Sequence, residues 1–439
     1  MNLVMIGTGY VGLVTGLGYA KLGHRVACVD TDPSKIAQLD LGETPFYEPE
    51  LPELLREMQE AGRIVFATDL AEVIDGAEVV MIAVGTPART DGFADLSFVE
   101  AAADRIGELL DHEALIVVKS SVPVGTNQEV IRRIRQKMGE VGREALTSVV
   151  AIASLPEFLR PGFALKDFME PDRIVIGADD SVAQTTLDRL HDGINAPRVF
   201  MSLQSAELTK YAANALLATK VSFVNEIANI AERFGADIRE VTRAVGMDKR
   251  IGPHFMRAGI GYGGSCFPKD VSAIMQMAGT SGYDSRLLAT VIEVNNRQRE
   301  RFVTRVVSDL DGVRGRRIAV WGLAFKGGTD DVRGSAPMDI VQRLIGLGAE
   351  IVAFDPKGME AAKRVLPSSV EFAPTAVDAT TGADALLVLN EWPEFREVSF
   401  EAVRERMAEP RIFDGMNHLA DLNLSAHGFL YRGVGLRKE

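Results

Sequence analysis

The first thirty residues strongly restrict how this chain can fold. Residues 3–6 form a short apolar run that predicts a buried strand, and a glycine-rich turn follows at once. A run of small residues then predicts a helix to about residue 22, and residues 26–29 predict a second strand that ends in Asp30. This strand–turn–helix–strand order is typical of a doubly wound, Rossmann-like α/β sheet that binds a dinucleotide.

The turn after the first strand has the glycine spacing that dinucleotide binding requires. Gly7 permits a tight turn, Gly9 lets a pyrophosphate approach the backbone, and Gly12 lets helix and strand pack closely. Asp30 would accept a hydrogen bond from a ribose 2′-hydroxyl and would repel a 2′-phosphate, so we predict NAD rather than NADP. The predicted cofactor contacts of this segment are Gly7, Gly9, Tyr10, Val11, Gly12 and Asp30.

Polar side chains follow three further apolar runs of the first third. Thr86, Ser121 and Glu157 each come just past a predicted strand. Because ligands gather at the carboxyl ends of the strands in an open α/β sheet, we expect these side chains to share a site. The three predicted strands lie at residues 78–84, 115–118 and 149–153.

Residues 259–266, the cysteine loop, contain four glycines and end in Cys266. Pro268 can begin a helix, because its φ is preset and it lacks an N–H that would be unpaired there. Cys266 would then lie at the positive end of a helix with Lys269 close by, and both lower a thiol pKa and favour the nucleophilic thiolate. The glycines lack side chains, which would let a ligand approach the backbone.

A long helix is predicted in the middle of the chain. Residues 204–234 contain no proline or glycine and are rich in Ala, Leu and Val. Such a helix would be about 45 Å long and would suit a connector between domains or an oligomer seam. Lys210 and Asn214 are four residues apart, so they share one face of it.

The last third repeats the α/β pattern and again has an acid, Asp355, after its second strand. The glycine spacing of the first turn is missing, so a second NAD is not expected. Lys326 and Arg333 flank this turn and would suit the phosphates of a different nucleotide. Strands are predicted at residues 317–322, 351–354, 385–389 and 412–413, with a helix at 336–347.

Composition excludes several classes of protein. An apolar content of 46% with 25% charged residues is ordinary for a globular protein, and a net charge of −13 argues against a nucleic-acid-binding surface. There is no apolar run of the ~18 residues that would span a membrane, and a first strand at residue 3 leaves no room for a signal peptide. Cys28 lies in a predicted strand, so we expect no disulfide and a reducing cytoplasm, and the six histidines show no zinc spacing.

Taken together, these residues resemble the UDP-glucose/GDP-mannose dehydrogenase family over essentially the whole chain. The resemblance implies an α/β protein with two Rossmann-like doubly wound domains, joined by a long central helix and a helical domain. It implies an NAD-binding domain at residues 1–200, a dimerisation domain at 201–300 and a UDP-sugar-binding domain at 301–439. The matching motifs lie at residues 7–12, 85–87, 119–126, 156–159, 207–214, 261–270 and 322–326.

The family's reaction, as the resemblance implies it, is the oxidation of UDP-glucose to UDP-glucuronate in two NAD-dependent steps by a cytoplasmic homodimer. The implied catalytic residues are Cys266 as nucleophile, with Lys210, Asn214, Asp270, Glu157 and Ser121. The implied cofactor contacts add Lys35, Thr86, Ser121, Lys269 and Arg333. The implied substrate contacts are Glu157, Phe158, Leu159, Lys210, Asn214, Arg250, Phe255, Gly259, Gly261, Gly263, Lys326 and, from a second subunit, Arg411.

Two positions depart from the family pattern. Ser121 stands where the family commonly has Thr, so the hydroxyl is kept but the methyl group that restricts χ1 is lost. Pro161 stands where many relatives have a second carboxylate, four residues after Glu157.

The residue types fit a four-electron oxidation, but three alternatives remain open. A thiolate can add to an aldehyde to give a hemithioacetal, which yields a second hydride and leaves a thioester. The alternatives are a dehydrogenase of another nucleotide sugar (GDP-mannose or UDP-N-acetylhexosamine type), a two-electron hydroxyacid dehydrogenase, and a nucleotide-binding redox sensor. A two-electron enzyme would need no cysteine, and a sensor would need neither Lys210 nor Asp270.

Overall fold

The structure is a computed structural model that describes residues 1–437. Residues 438 and 439, the end of the third predicted domain, lie outside the described residues. The chain divides into two compact units, which are described separately. The first unit comprises Met1–Ala213 and Ser272–Ser281, and the second comprises Asn214–Val271 and the chain from Gly282 onward.

The first unit is built on an eight-stranded sheet. Its strands are β1 (Asn2–Ile6), β2 (Arg25–Val29), β3 (Ile64–Ala67), β4 (Val79–Ile82), β5 (Leu115–Val118), β6 (Ala151–Ser154), β7 (Ile174–Gly177) and β8 (Arg198–Met201). Their order in the sheet is 3-2-1-4-5-6-7-8, and all neighbouring strands are parallel except β6 and β7. The predicted doubly wound α/β sheet is therefore confirmed.

Helices cover the sheet of the first unit, so its central strands are buried on both faces. Leu3 and Met5 belong to one apolar cluster and Val4 belongs to another, as the alternation of side chains along a strand requires. Central strands of this kind read as continuous apolar runs. The helices are α1 (Tyr10–Lys21), α2 (Pro33–Asp40), α3 (Leu51–Glu60), α4 (Ser97–Leu109), α5 (Thr126–Glu140), α6 (Ala164–Met169) and α7 (Ser181–Leu190), with short 3₁₀ turns at Leu70–Glu72 and Glu144–Leu146.

The predicted long helix is present as α8 (Leu203–Phe234), which begins in the first unit and continues into the second. Its 32 residues correspond to about 48 Å at 1.5 Å per residue. Three further helices follow before the second sheet begins. They are α9 (Ile238–Gly246), α10 (Phe267–Thr280) and α11 (Arg286–Asp309).

The second unit contains a six-stranded, wholly parallel sheet. Its strands are β9 (Arg317–Trp321), β10 (Glu350–Phe354), β11 (Glu371–Phe372), β12 (Ala385–Val388), β13 (Arg411–Asp414) and β14 (Leu430–Gly433). The order 11-10-9-12-13-14 repeats that of the first six strands of the first sheet, so the second Rossmann-like fold is also confirmed. The remaining helices are α12 (Ala336–Gly346), α13 (Met359–Lys363), α14 (Ala376–Ala379), α15 (Glu394–Glu397) and α16 (Phe400–Arg406), with a 3₁₀ turn at Leu424–His427.

Within residues 1–437, each helix is too short or too polar to cross a lipid bilayer.

A buried glutamate of α8 holds the beginning of α5. Glu207 accepts hydrogen bonds from the backbone N–H groups of Gly125 (2.7 Å) and Asn127 (2.8 Å) and from the Asn127 amide (2.7 Å). Gly125, the N-cap residue, has φ +94° and makes no side-chain cap of its own. Glu207 therefore supplies acceptors that a helix N-terminus otherwise lacks, and its negative charge suits the helix dipole.

We expect Glu207→Ala to reduce the free energy of unfolding by about 2–4 kcal/mol, because it leaves buried N–H groups without acceptors. Glu226→Ala is the matched control, since Glu226 is an exposed glutamate of the same helix and should change stability by less than about 0.5 kcal/mol. Urea unfolding of both variants measures the difference. Equal losses of stability in the two variants would contradict the capping role.

Candidate active site

The turn between β1 and α1 has a distinct steric environment at each of its three glycines. Gly7 has φ +102°, and a Cβ there would lie 2.7 Å from the carbonyl oxygen of Ala83. A Cβ on Gly12 would lie 1.9 Å from the carbonyl oxygen of Gly7, whereas a Cβ on Gly9 would meet no atom within 4 Å. The turn is therefore closed by packing at Gly7 and Gly12 and open at Gly9, the position where a pyrophosphate is expected to approach.

Asp30 follows β2 and ties this turn to the neighbouring strand. Its Oδ2 accepts hydrogen bonds from the Thr8 N–H (3.0 Å), the Thr8 hydroxyl (2.8 Å) and Lys35 Nζ (3.2 Å), while its Oδ1 accepts from the Asp32 N–H (3.1 Å). Burial alone would raise the pKa of Asp30, but these hydrogen bonds outweigh it and hold the pKa below its usual range. Asp30 is therefore ionised at neutral pH, and its Oδ1 keeps acceptor capacity for a ribose hydroxyl.

Tyr10 and Glu48 connect the start of α1 to the segment after Pro161. The Tyr10 hydroxyl donates to Glu48, which also accepts from the N–H groups of Gly162 (2.6 Å) and Ala164 (2.7 Å). Burial raises the pKa of the Glu48 carboxyl, although its hydrogen bonds act in the opposite direction. Val11, the next residue of α1, is partly buried.

The strand-end residues of the first sheet lie at one edge, as expected for parallel strands. Thr86 follows β4, and its hydroxyl donates to the carbonyl oxygen of Ser121 (2.9 Å), which follows β5. Glu157 follows the next strand, β6. All three positions therefore follow neighbouring strands, because parallel strands share the direction of their carboxyl ends, and a site shared by the three side chains stays a prediction.

Glu157 and Lys210 form a buried ion pair. Lys210 Nζ lies 2.7 Å from Glu157 Oε1, and the other carboxylate oxygen accepts from the Leu159 N–H (2.6 Å). Burial acts to raise the pKa of Glu157, but the charge and hydrogen bond of Lys210 prevail and lower it. The Phe158 ring lies beside this pair, with its centroid 5.4 Å from Lys210 Nζ.

Lys119 is a third charged member of this group and was not among the predicted site residues. It follows β5, is buried, and donates weakly to the carbonyl oxygen of Leu155 (3.5 Å). Burial lowers the pKa of Lys119 to about 8, with the charge of Glu157 acting against that shift and Lys210 adding to it. The sequence signals of this position are a lysine directly after an apolar strand and its place at the start of the motif at residues 119–126, but spacing alone could not pair it with Glu157.

Cys266 is the N-cap residue of α10, as the proline two residues later predicted. Its carbonyl oxygen accepts the hydrogen bond of the Asp270 N–H (2.8 Å), the first of the helix. The side chain is partly exposed, whereas Cys28, the other cysteine, is fully buried and its thiol pKa is raised to about 12 by that burial. Cys266 is therefore the more accessible of the two thiols.

One turn into α10, Asp270 is the centre of a buried polar cluster. Its Oδ2 accepts from the Asn214 amide (2.6 Å) and its Oδ1 from Lys269 Nζ (2.7 Å). Asn214 lies one helical turn after Lys210 on α8. The Lys269 ammonium is directed at this carboxylate, so its charge is largely neutralised next to the Cys266 position.

The glycines of the cysteine loop are required for packing. Positions that a Cβ would occupy are taken by Met416 Sδ at Gly259 (2.9 Å), Asn295 Oδ1 at Gly261 (2.5 Å) and the Gly334 carbonyl oxygen at Gly263 (2.5 Å). Gly261 also has φ +97°. Neighbouring segments of the second unit therefore fill the Cβ side of these glycines, and the approach of a ligand to the backbone of this loop stays a prediction.

Three other predicted substrate contacts have partners within the second unit. Arg250 is exposed and pairs with Asp248 (2.6 Å), and the Lys326 ammonium lies 6.0 Å from the Phe325 ring centroid. Phe255 has φ +60°, a left-handed conformation that is strained for a bulky side chain. Substrate binding by these three residues stays a prediction.

Arg411 is the first residue of β13 and so lies at the amino end of the second sheet. Its guanidinium donates to the Asp309 carbonyl oxygen (2.6 Å) and pairs with Glu409 (2.7 Å). A strand of four residues places it roughly 10 Å from the carboxyl edge where ligands of such sheets bind. Arg411 is thus poorly placed to contact a ligand at the carboxyl edge of its own sheet. Its contact with a substrate bound to a second subunit stays a prediction.

Within the described residues, no group of three or more His, Cys, Asp or Glu side chains is arranged to hold a metal ion. The groups present are instead a carboxylate–ammonium pair, a thiol at a helix N-terminus and a buried carboxylate–amide pair. These groups can transfer protons, form a covalent adduct and stabilise an oxyanion.

Three family models match most of the chain, and individual relatives match 99% of it. Residues 1–195 match the NAD binding domain of the UDP-glucose/GDP-mannose dehydrogenase family, residues 204–297 its central domain and residues 319–421 its UDP binding domain. The chain is 43% identical over 435 residues to the UDP-glucose 6-dehydrogenase YwqF of Bacillus subtilis, covering 99% of this chain and 98% of that protein. It is 44% identical over 444 residues to the UDP-glucose 6-dehydrogenase of Pseudomonas aeruginosa, covering 99% and 97%.

A solved structure agrees with these matches. A UDP-glucose dehydrogenase from the hyperthermophilic archaeon Pyrobaculum islandicum superimposes with a TM-score of 0.91 at 38% identity, covering 99% of this chain and 98% of that chain. The motifs, the duplicated Rossmann-like fold and these similarities over the full length agree, and the chain belongs to the UDP-glucose/GDP-mannose dehydrogenase family.

Proposed function

We propose that this chain oxidises UDP-glucose to UDP-glucuronate in two NAD-dependent steps. The observation that carries the proposal is Cys266 at the N-terminus of α10, one turn before the buried Asp270–Asn214 pair. The relatives at 42–44% identity that bear the name UDP-glucose 6-dehydrogenase support the same substrate. Solved relatives named for other nucleotide sugars are less similar, such as the UDP-D-ManNAc dehydrogenase of Pyrococcus horikoshii at 27% identity.

The first unit fits NAD, because its glycine turn is open at Gly9 and Asp30 retains an acceptor next to it. Bound NAD supplies the hydride acceptor for each oxidation. The residues proposed to hold it are Gly7, Gly9, Tyr10, Val11, Gly12, Asp30, Lys35, Thr86, Ser121, Lys269 and Arg333.

The first oxidation removes a proton from the C6 hydroxyl and a hydride from C6, which leaves an aldehyde. The Glu157–Lys210 pair is the proposed acceptor of that proton, since a buried carboxylate joined to an ammonium can exchange protons through a bound water. Ser121 would help to position this water.

The second oxidation begins when the Cys266 thiolate adds to the aldehyde carbon. Lys210 and Asn214 stabilise the resulting oxyanion, and a well-placed donor of this kind contributes about 3–4 kcal/mol. Loss of a second hydride gives a thioester, and water, assisted by Asp270 and Glu157, then releases the carboxylate and the thiolate.

The domain roles follow the same proposal. Residues 1–200 would bind NAD, residues 201–300 would form the dimer and residues 301–439 would bind the UDP portion. The proposed contacts to UDP-glucose beyond the catalytic residues are Phe158, Leu159, Arg250, Phe255, Gly259, Gly261, Gly263, Lys326 and, across subunits, Arg411.

A homodimer is supported by an exposed apolar stripe on α8. Leu216, Phe223 and Ile230 recur every seven residues, which keeps them on one face of the helix, and all three are exposed in the single chain. Apolar side chains in such a row are typical of a helix that packs against a partner. A reducing compartment such as the cytoplasm suits the accessible Cys266 thiol.

Leu216→Glu should convert the dimer to a monomer at micromolar concentration, because it places a charge in the proposed apolar interface. Val182→Glu is the matched control, since Val182 on α7 has the same exposed fraction, 63%. Light scattering of both variants and the native protein checks the prediction. A native monomer, or a Leu216→Glu variant that still dimerises, would contradict it.

The native protein should use NAD much better than NADP. Asp30→Asn keeps an oxygen that can accept from Thr8 but removes the charge that repels a 2′-phosphate, so the ratio of kcat/KM values should fall about tenfold or more. Asp40→Asn, an exposed change of equal charge on α2, is the control and should leave the ratio unchanged. Similar use of both cofactors by the native protein would show that Asp30 is not the selecting residue.

The native protein should form two NADH for each UDP-glucose and release no aldehyde, because the thiolate holds that intermediate covalently. Cys266→Ser replaces a thiolate by a hydroxyl of far higher pKa, so the second oxidation or the hydrolysis should fail while UDP-glucose and NAD still bind. Cys28→Ala, which removes the buried thiol, should keep the two-to-one ratio. The ratio is measured from NADH absorbance, and any ester formed on the substituted serine is detected by mass spectrometry.

The same assay separates the alternatives. One NADH per substrate would indicate a two-electron dehydrogenase, and no turnover with bound nucleotide would favour a redox sensor. Turnover with GDP-mannose or a UDP-N-acetylhexosamine in preference to UDP-glucose would move the assignment within the family.

A further inference from the structure

Cys266 belongs to a connected set of side chains in the second unit, the Cys266 cluster: Cys266, Ser265, Asp331 and Arg333. The Ser265 hydroxyl lies 3.8 Å from Cys266 Sγ and 3.3 Å from Asp331 Oδ2. Arg333 binds both oxygens of Asp331, with Nε to Oδ1 and Nη2 to Oδ2 each at 2.8 Å. Arg333 Nη2 also lies 3.5 Å from the Ser265 hydroxyl, so the guanidinium faces the residue next to the thiol.

Backbone hydrogen bonds fix this cluster. The Asp331 carbonyl oxygen accepts from the Phe325 N–H (3.1 Å), and Asp331 Oδ1 accepts from the Arg333 N–H (3.0 Å). The Gly264 N–H donates to the Gly334 carbonyl oxygen (3.2 Å), which ties the cysteine loop to the segment that carries Arg333. The backbone therefore holds the two segments together, and Asp331 holds the Arg333 guanidinium beside Ser265.

The charged groups around the sulfur come from two elements of this unit. On α10, Lys269 and Asp270 pair with each other and so largely cancel. On the segment from 325 to 335, Arg333 is opposed by Asp331, with Lys326 and Asp330 nearby in sequence. The Arg333–Asp331 pair differs from the Lys269–Asp270 pair in that both of its members contact Ser265, the residue next to the thiol.

We propose that Arg333, held in place by Asp331, is a positioning residue that stabilises the Cys266 thiolate, and that Ser265 orients the sulfur. The inference rests on the role of Cys266 in the proposed function, and it is separate from the cofactor contact proposed for Arg333. The pKa of the Arg333 guanidinium is raised, chiefly by its hydrogen bonds with Asp331, and the Cys266 sulfur acts in the same direction. Asp331 opposes the effect of Arg333 on the thiol, so the two residues have contributions of opposite sign.

Because Arg333 and Asp331 should shift the pKa of the thiol in opposite directions, their removal gives results that a purely structural role of the two residues would not produce. The rate at which iodoacetamide alkylates Cys266 is measured against pH, in the full-length protein without NAD or UDP-glucose. Cys28 is buried and should not compete, and a Cys266→Ser variant gives the background. Alkylated sites are identified by mass spectrometry.

Arg333→Met removes the cation and should raise the pH midpoint of alkylation by about half a unit to one unit. The shift is of this modest size because the guanidinium is exposed, so that water and salt screen its charge. Asp331→Asn removes the opposing anion and should lower the midpoint by a similar amount. Arg333→Lys keeps the charge and should leave the midpoint within about 0.3 units of native. Ser265→Ala should change the midpoint least and slow alkylation at all pH values.

Shifts of the two midpoints in the same direction, or no shift in either, would overturn the proposal. If Arg333→Met fails to fold, as judged by circular dichroism, Arg333→Gln replaces it and the comparison with Asp331→Asn stands. The alkylation profile needs no turnover, so it reports on the thiol even if the two-NADH assay fails. Conversely, unshifted midpoints with a two-to-one NADH ratio would reject this inference and leave the proposed function intact.

Discussion

The buried ion pair between Glu157 and Lys210 is the interaction on which the arrangement of the first unit depends. Each ion alone would cost several kcal/mol to bury, so neither position is tolerable without the other. Glu157 comes from the edge of the sheet and Lys210 from α8, so the pair fixes the helix against that edge. The same helix carries Glu207, which holds the beginning of α5, so one face of α8 organises two loops at the carboxyl ends of the strands.

With Lys119, the buried charged group of Glu157, Lys210 and Lys119 reduces the stability of the folded state more than the Glu157–Lys210 pair alone would. Burial lowers the pKa of Lys119 to about 8, with the charge of Glu157 acting against that shift and the charge of Lys210 adding to it, so two lysines and one carboxylate share a buried place. Because this pKa is lower in the folded state, the stability cost is fully present below about pH 8 and disappears as the pH rises toward the ordinary value for lysine. A protein that keeps such a residue does so at the expense of stability, which is typical of groups retained for the chemistry of a site.

The sequence was sufficient for features that depend on local patterns. Apolar runs bounded by glycine and proline located the central strands of both sheets, and Pro268 located the start of α10. Contacts between residues far apart in the sequence could not be predicted from local patterns. The pairing of Lys119 with Glu157 and the antiparallel pairing of β7 with β6 were therefore missed. The packing role of the cysteine-loop glycines was missed for a related reason, since a missing side chain looks the same in sequence whether a ligand or Asn295 fills the space.

The two Rossmann-like halves each have an acid after the second strand, but the two acids differ in how many hydrogen-bond acceptor positions remain free for a ligand. In each half an acid after the second strand accepts hydrogen bonds from the first turn: Asp30 from Thr8, and Asp355 from Leu323 and Ala324. A carboxylate has about four acceptor positions. Asp355 also accepts from Lys357, Gly358, Asn390 and Trp392.

Asp355 is fully buried and its acceptor positions are occupied, so it cannot accept a ribose hydroxyl as Asp30 can. Asn390 also occupies the space beside Gly322, the first residue after β9, at 2.3 Å from where a Cβ would lie. In the second half, Asp355 therefore binds the backbone N–H groups of the first turn and is not free to bind a ligand. A nucleotide bound by this half must be recognised by other groups, such as the cations that flank the turn, which is why a duplicated fold need not bind the same cofactor twice.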